Sequence, residues 1–317
     1  MSRNVLVLAG GLSYEREVSL RSGRRVADAL RRSGVEATIR DVDASLLGTL
    51  ENDRPDAVFI ALHGASGEDG SLRGVLDLLG IPYVGASADA ARVAWDKAAA
   101  KAVLRDLGLP TPDWIALPHE TFRELGAQAL LERIVAKMGL PLMVKPAEGG
   151  SGLGAQAVTS FEELPSAMVG CFGYCDTALI ERFTTGADVA ISVVESPLGP
   201  SALPAVEIVP AEGGVYDYSA RYTAGTTTWH APARLDPEVA ERAAEVAVAA
   251  HEALDLRDLS RVDLLVDEAG DIQVLEVAVS PGLTETSLMP TAIQAAGLDF
   301  GEVLSDLVEQ AIKRSPS

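Results

Sequence analysis

The sequence predicts an α/β protein of two or three domains, and three observations point there. Apolar, strand-like runs alternate with helical stretches over the first hundred or so residues. The middle of the chain sends a strand into a glycine-rich loop, and the last third carries two apolar runs joined by a turn. A chain of 317 residues with 48% apolar content is long enough to build that many packed cores.

Bulk composition narrows the partners. A formal net charge of −20 argues against nucleic acid, because a polyanion is bound by releasing its counterions to a positive surface. The first apolar run ends at Gly10, too early for a secretory signal, and no stretch reaches the roughly 18 apolar residues of a membrane span. A cytoplasmic protein without membrane partners is therefore expected. Cys171 and Cys175 match no zinc spacing, and with four histidines in the chain they read as reduced thiols. Lysine occurs at 97, 101, 137, 145 and 313 only, against 21 arginines. The chain writes Arg wherever a surface cation suffices, which makes the remaining lysines candidates for positions needing a compact, freely rotating ammonium.

Val5–Ala9 is a continuous apolar run closed by Gly10 and Gly11, the pattern of a buried parallel strand. A helix follows to about Arg32, with apolar residues at 18, 26 and 30. A strand, two glycines and a helix invite a dinucleotide site, but the G-x-G-x-x-G spacing is absent. Val35–Val42 and Ala57–Leu62 are further strands. The second opens into His63-Gly-Ala-Ser-Gly-Glu68-Asp-Gly70, a polar loop at a strand's C-terminal edge, where open α/β sheets place ligands. A lone loop histidine is otherwise surface decoration. Trp95-Asp-Lys97 opens a helix stopped by Gly108 and Pro110, and a strand over 113–117 and one helix over about 120–138 come next.

Lys145 then ends a strand that enters a loop with four glycines among residues 149–154. Backbone N–H groups approach phosphates closely only where no side chain intervenes, and an ammonium beside them offsets phosphate charge. The alternative is a plain glycine turn with Lys145 in solvent, which the scarcity of lysine disfavours. Thr177–Asp188 reads as a strand leaving the middle of the chain, Val189–Glu195 and Ala205–Val209 as strands, and 213–230 as a long polar loop of the kind that forms lids or stays disordered. Asp236 and Pro237 start a helix running to about Leu254. A last helix over about 300–314, apolar at 304, 307 and 311, is expected to close the C-terminal domain.

The most informative stretch is Arg261–Gly282, two strand runs flanking Glu268-Ala-Gly270, where the glycine can take φ > 0 in a hairpin turn. Pairing Asp263 with Glu276 or its neighbour would set two carboxylates face to face among apolar residues, which is costly unless a cation joins them. A Mg2+ carrying substrate phosphates meets that need. Two solvent-facing acids beside a turn fit the same letters.

This hairpin, continued by Ser280-Pro-Gly-Leu-Thr-Glu-Thr-Ser-Leu-Met-Pro290, closely resembles the C-terminal signature of the D-alanine:D-alanine ligases of the ATP-grasp superfamily, and Glu15-Arg-Glu-Val-Ser and the His63 loop resemble its N-terminal one. The resemblance spans essentially the whole chain, with every motif in order. It implies a three-domain ATP-grasp fold: an N-terminal α/β substrate domain over 1–96, a central subdomain over 97–184, and a C-terminal subdomain over 185–317 with the metal and catalytic residues. It implies Glu15 on the substrate amine, Ser151 and Tyr222 in a hydrogen-bonded trio with Glu15, and His63 lining the first amino-acid site. Lys97, Lys145 and Arg221 would face ATP phosphates, Glu181 the adenine amine and Asp188 the ribose. Asp263 and Glu276 would hold Mg2+ or Mn2+, Arg261 and the N–H of Gly282 the oxyanion, and Ser287 and Leu288 the second substrate's carboxylate.

The activity so implied is ATP-dependent joining of two D-alanines through an acyl phosphate, for peptidoglycan precursors, by a homodimer. Four positions depart from the family pattern. Ala278 stands where an Asn metal ligand is usual, Gly152 where a second Ser is usual, Asp188 where relatives carry Glu, and Arg221 replaces a lysine. Three alternatives stay open: a ligase of the same class with another substrate, a paralogue of specialised metabolism, and an ATP-binding protein impaired by loss of the Asn ligand.

Overall fold

The computed structural model describes residues 3–211, 225 and 227–314. Strands β1 (Asn4–Leu8), β2 (Glu36–Arg40), β3 (Ala57–Ile60) and β4 (Tyr83–Val84) form a parallel sheet in the order β2-β1-β3-β4. Helices α1 (Arg16–Arg32), α2 (Leu46–Asp53), α3 (Ala65–Glu68) and α4 (Ser71–Leu79) connect them, and α5 (Ala88–Trp95) follows. Val5, Val7 and Leu8 are fully buried because helices cover both faces of the sheet, which explains the unbroken apolar run.

After α6 (Lys97–Asp106), an antiparallel sheet in the order β5-β8-β6-β7 is built from β5 (Trp114–Pro118), β6 (Leu142–Pro146), β7 (Gln156–Val158) and β8 (Thr177–Arg182). Its helices are α7 (His119–Leu125), α8 (Ala127–Met138) and α9 (Leu164–Phe172). The single helix expected over 120–138 is two, because Gly126 sits at φ 85°, ψ 112°, outside helical space. The strand expected to run to Asp188 stops at Arg182, and Asp188 belongs to the next strand.

The third sheet runs β12-β11-β9-β13-β14, with β10 paired to β9; its strands are β9 (Ala187–Ser196), β10 (Gly199–Ala202), β11 (Val206–Pro210), β12 (Thr227–His230), β13 (Leu259–Val266) and β14 (Ile272–Ala278). Helices α10 (Pro237–Ala253), α11 (Leu288–Ala295) and α12 (Phe300–Lys313) complete the described chain. A parallel sheet followed by two antiparallel ones is the mixed α/β architecture the sequence predicts.

Helical packing ties the sheets together. Ala100 and Leu104 of α6 are buried with Val262, Leu264 and Val274 of the third sheet. The C-terminal helix α12 does not close the third sheet alone, as its position in the sequence suggested. Leu304, Leu307, Val308 and Ala311 share a core with Val26, Ala29 and Leu30 of α1. Burying a Leu or Val side chain stabilises by about 1.5–3 kcal/mol. The approach requires Gly301, where a Cβ would fall 2.9 Å from the Ala29 carbonyl oxygen. The end of the chain thus braces the first sheet against the third.

Candidate active site

The hairpin of β13 and β14 places the two acids. Val266 to Leu264 pair with Ile272 to Val274 in one register, and then the pairing slips so that Asp263 faces Glu276 and Arg261 faces Ala278. Without the slip Asp263 would face Leu275. A β-bulge sets two residues of one strand against one of the other, and here the extra residue is Leu275. The bulge is what brings two carboxylates to directly opposed positions, where Cβ atoms lie about 4.5–5.5 Å apart.

Each acid already has a cationic neighbour. Arg261, two residues along the strand and so on the same face, donates from Nε to Asp263 Oδ1 at 2.6 Å and from Nη2 to Oδ2 at 2.8 Å. Lys97 Nζ stands 3.8 Å from Glu276 Oε2 and also donates to the Gly149 carbonyl. Lys97 is set there by α6, whose first turn is capped by Asp96 accepting from the amides of Ala98 and Ala99. No third His, Cys, Asp or Glu joins the two acids as a metal-binding cluster among the described residues.

Two cavities meet at this point. The larger, ≈ 350 Å³, has an apolar wall of Met143, Phe183 and Leu265 and polar groups from Lys145, Glu181 and Asp188. The smaller, ≈ 120 Å³, is lined by Glu15, His63, Ser151, Arg261, Gly282 and Ser287 among others. Lys97, Gly149, Gly150 and Glu276 line both, so the glycine loop and the hairpin form a shared wall. Within that loop Gly149, Gly152 and Gly154 take positive φ, and Ser151 does so as well at φ 56° despite its side chain. Its hydroxyl donates to Glu15 Oε1 across the smaller cavity.

In the larger cavity Lys145 Nζ lies 2.6 Å from Glu181 Oε2, and behind its wall Lys101 Nζ lies 2.6 Å from Oε1. Burial opposes ionisation of Glu181, but Lys145 and Lys101 together outweigh it and hold its carboxyl below the usual range. Asp188, the second residue of β9, pairs with Leu265 and Ile208.

Around the smaller cavity His63 is buried, which pushes its pKa down and keeps the ring neutral. Nδ1 is 3.1 Å from the Ser280 carbonyl oxygen, which can only accept, so Nδ1 carries the proton and Nε2 accepts from Ser22 Oγ at 3.0 Å. Ser287 Oγ accepts from the Thr284 amide at 3.0 Å and lies 2.8 Å from Thr284 Oγ1, while Leu288 opens α11 in the cavity wall. Arg221 and Tyr222 lie outside the described residues.

Three features carry no role in the sequence reading. Glu68, recognised there only as part of the His63 loop, is half-buried in the wall of the smaller cavity and accepts from the Gly64 amide at 2.8 Å. Burial, with Glu15 nearby, pushes its carboxyl up to about 8. Lys101 is 1% exposed, and the rarity of lysine was its one signal. The Leu275 bulge leaves no signature in the letters.

Comparison with known proteins adds an independent line. Residues 103–309 match the family model described as D-ala D-ala ligase C-terminus, and residues 42–86 match D-ala D-ala ligase N-terminus. The D-alanine–D-alanine ligase of Pelotomaculum thermopropionicum is 41% identical over 313 residues, covering 99% of this chain and 98% of its own length. That of Anaeromyxobacter dehalogenans is 40% identical over 310 residues, with 98% and 97% covered. The crystal structure of the Bacillus anthracis D-alanine–D-alanine ligase complexed with ATP is similar at a TM-score of 0.82 and 29% identity, with 98% of each chain covered. The VanG D-Ala:D-Ser ligase of Enterococcus faecalis is similar at 0.83 and 26% identity, covering 98% of this chain and all of its own.

Proposed function

Because this chain belongs to the D-alanine–D-alanine ligase family, we propose that it is an ATP-dependent ligase that joins two D-alanines into the dipeptide of peptidoglycan precursors. The observation that carries the reading is the shared wall of the two cavities. A nucleotide in the larger one and an amino acid in the smaller one would meet at Lys97, Gly149, Gly150 and Glu276.

ATP takes the larger cavity, with adenine against Met143, Phe183 and Leu265. Glu181 faces the exocyclic amine and Asp188 the ribose, while Lys97, Lys145 and, by resemblance, Arg221 offset the phosphates. The first D-alanine sits in the smaller cavity, its ammonium held by Glu15, which Ser151 and Tyr222 orient, with neutral His63 beside it. Its carboxylate oxygen attacks the γ-phosphorus, ADP leaves, and an acyl phosphate forms. The free amine of the second D-alanine attacks the acyl carbon, Arg261 and the Gly282 N–H stabilise the oxyanion, and phosphate departs. Ser287 and Leu288 hold the second carboxylate. In such transfers positioning and charge neutralisation supply most of the acceleration.

Asp263 and Glu276 suit a hard divalent ion, since one or two carboxylates plus substrate phosphates are its usual ligands. Bound there, Mg2+ or Mn2+ would neutralise phosphate charge. Arg261 then serves twice, partnering Asp263 and facing the developing oxyanion. Within the proposed division at 96/97 and 184/185, the first domain holds the amino acid and the other two grip ATP. No helix among the described residues is long and apolar enough to cross a membrane. A cytoplasmic homodimer acting on small molecules, with neither nucleic acid nor membrane as partner, completes the proposal.

The test is stoichiometry. Purified protein with Mg2+-ATP and D-alanine alone should release one ADP for each D-alanyl-D-alanine. ADP release indifferent to D-alanine, or a mixed product favoured when D-serine or D-lactate is added, would replace this reading with the alternatives above.

A further inference from the structure

Glu181 is 2% exposed and has two lysines for one carboxylate, one more than charge balance requires. The two are not equivalent. Lys145 lines the larger cavity, whereas Lys101 lies behind it at 1% exposure and does not line it. The Lys101 ammonium donates to Thr111 Oγ1 at 2.6 Å and to the Val274 carbonyl at 3.4 Å, and Thr111 Oγ1 itself donates to that carbonyl at 2.8 Å. It is pinned between the middle sheet and β14. Burying an ammonium costs free energy, and desolvation lowers the Lys101 pKa to about 8, so its place needs a return.

The chemistry of the cavity supplies one. If Lys145 turns toward the phosphates, it leaves Glu181 Oε2, and a carboxylate at this depth stripped of every cation would be strongly disfavoured. We propose that Lys101 is a positioning residue, the fixed counter-ion that keeps Glu181 seated and ionised while Lys145 moves its charge to a bound nucleoside triphosphate. The inference rests on the reading of the larger cavity as the ATP site. Glu181 from β8, Lys145 from β6 and Glu276 from β14 bear on the ammonium, and Lys97 and Arg105 are the other cations of its own helix. The Trp114 ring of β5 lies 5.9 Å from it.

The experiment measures ATP KM and kcat at saturating D-alanine for wild type, Lys101→Met, Glu181→Gln and the double variant. Lys101→Met should raise ATP KM at least about tenfold with kcat within about threefold, and should add less than about twofold in the Glu181→Gln background, because residues acting through one contact are non-additive. An unchanged KM, or an equal loss in both backgrounds, overturns the proposal. Lys101→Arg covers the case in which Lys101→Met does not fold. Wild-type kcat/KM for ATP should fall as pH rises through about 8, and the permanently charged Arg should remove that fall. The same alkaline fall in Lys101→Arg overturns the proposal. Failure of wild-type protein to bind ATP overturns instead the reading on which it rests, and the proposal with it.

Discussion

A Cβ added at Gly282 would lie 2.7 Å from Ser287 Oγ and 3.4 Å from Ser287 Cβ. Gly282 is not among the residues with positive φ, so Gly282→Ala strains no backbone and acts through this contact alone. To restore ordinary separation the hydroxyl must leave the Thr284 amide and Thr284 Oγ1, which it now meets at 3.0 and 2.8 Å. Forgoing two neutral hydrogen bonds, at about 0.5–1.5 kcal/mol each, and rotating the side chain off its minimum, at about 0.5–1.5 more, give about 1.5–4.5 kcal/mol in all. A cost of 1.4 kcal/mol is a tenfold change, so a loss of at least roughly tenfold is expected. Because Ser287 borders the end of the smaller cavity proposed for the second substrate, the loss should fall on the apparent constant for the second D-alanine, with ATP KM within about twofold. Initial rates over a D-alanine series separate the two amino-acid constants. In a Ser287→Ala background the same glycine substitution should cost much less, since the clashing atom is gone. An unchanged second constant, or equal losses with and without the Ser287 hydroxyl, would refute the contact as the cause.

Two further outcomes follow from the site. Ala278→Asn restores an oxygen donor on the strand carrying Glu276, and should lower the Mg2+ concentration needed for half-maximal rate; an unchanged Mg2+ titration would mean that another group already fills that position. The Glu68 carboxyl ionises near 4.5 in an unfolded chain but is raised to about 8 in the fold, so between those values the folded state holds more protons and stability falls as pH rises. Glu68→Gln keeps an acceptor for the Gly64 amide and removes this slope. Its melting temperature relative to wild type should therefore climb between about pH 5 and pH 8, and a difference that stays flat across that window would count against a neutral Glu68.

Much of this architecture was legible because local chemistry dictated it. The unbroken run Val5–Ala9 needs both sheet faces covered, and it lies in the middle of a parallel sheet. The turn at Gly270 takes φ 82°, as a hairpin glycine should. What stayed hidden depends on distant partners or small energies. A single glycine costs a helix only about 1 kcal/mol, so the periodicity over 120–138 could not reveal the break at Gly126. A bulge moves a pairing by one residue without altering the alternation of either strand, so letters alone left Asp263 between Glu276 and its neighbour. Glu68 and Lys101 are ordinary charged residues in sequence, and only burial against Glu15 or Glu181 makes them unusual. The helix Phe300–Lys313 showed its apolar stripe plainly, but nothing local names α1 as the surface it meets.

Ligation through an acyl phosphate leaves an isotopic record. With both carboxylate oxygens of D-alanine labelled by 18O, attack on the γ-phosphorus forms a bond from one of them, and cleavage of the C–O bond by the incoming amine carries that oxygen away with phosphorus. Phosphorus NMR of the released phosphate should show one 18O per dipeptide formed. Unlabelled phosphate alongside labelled dipeptide would contradict transfer of the γ-phosphoryl group to the amino acid.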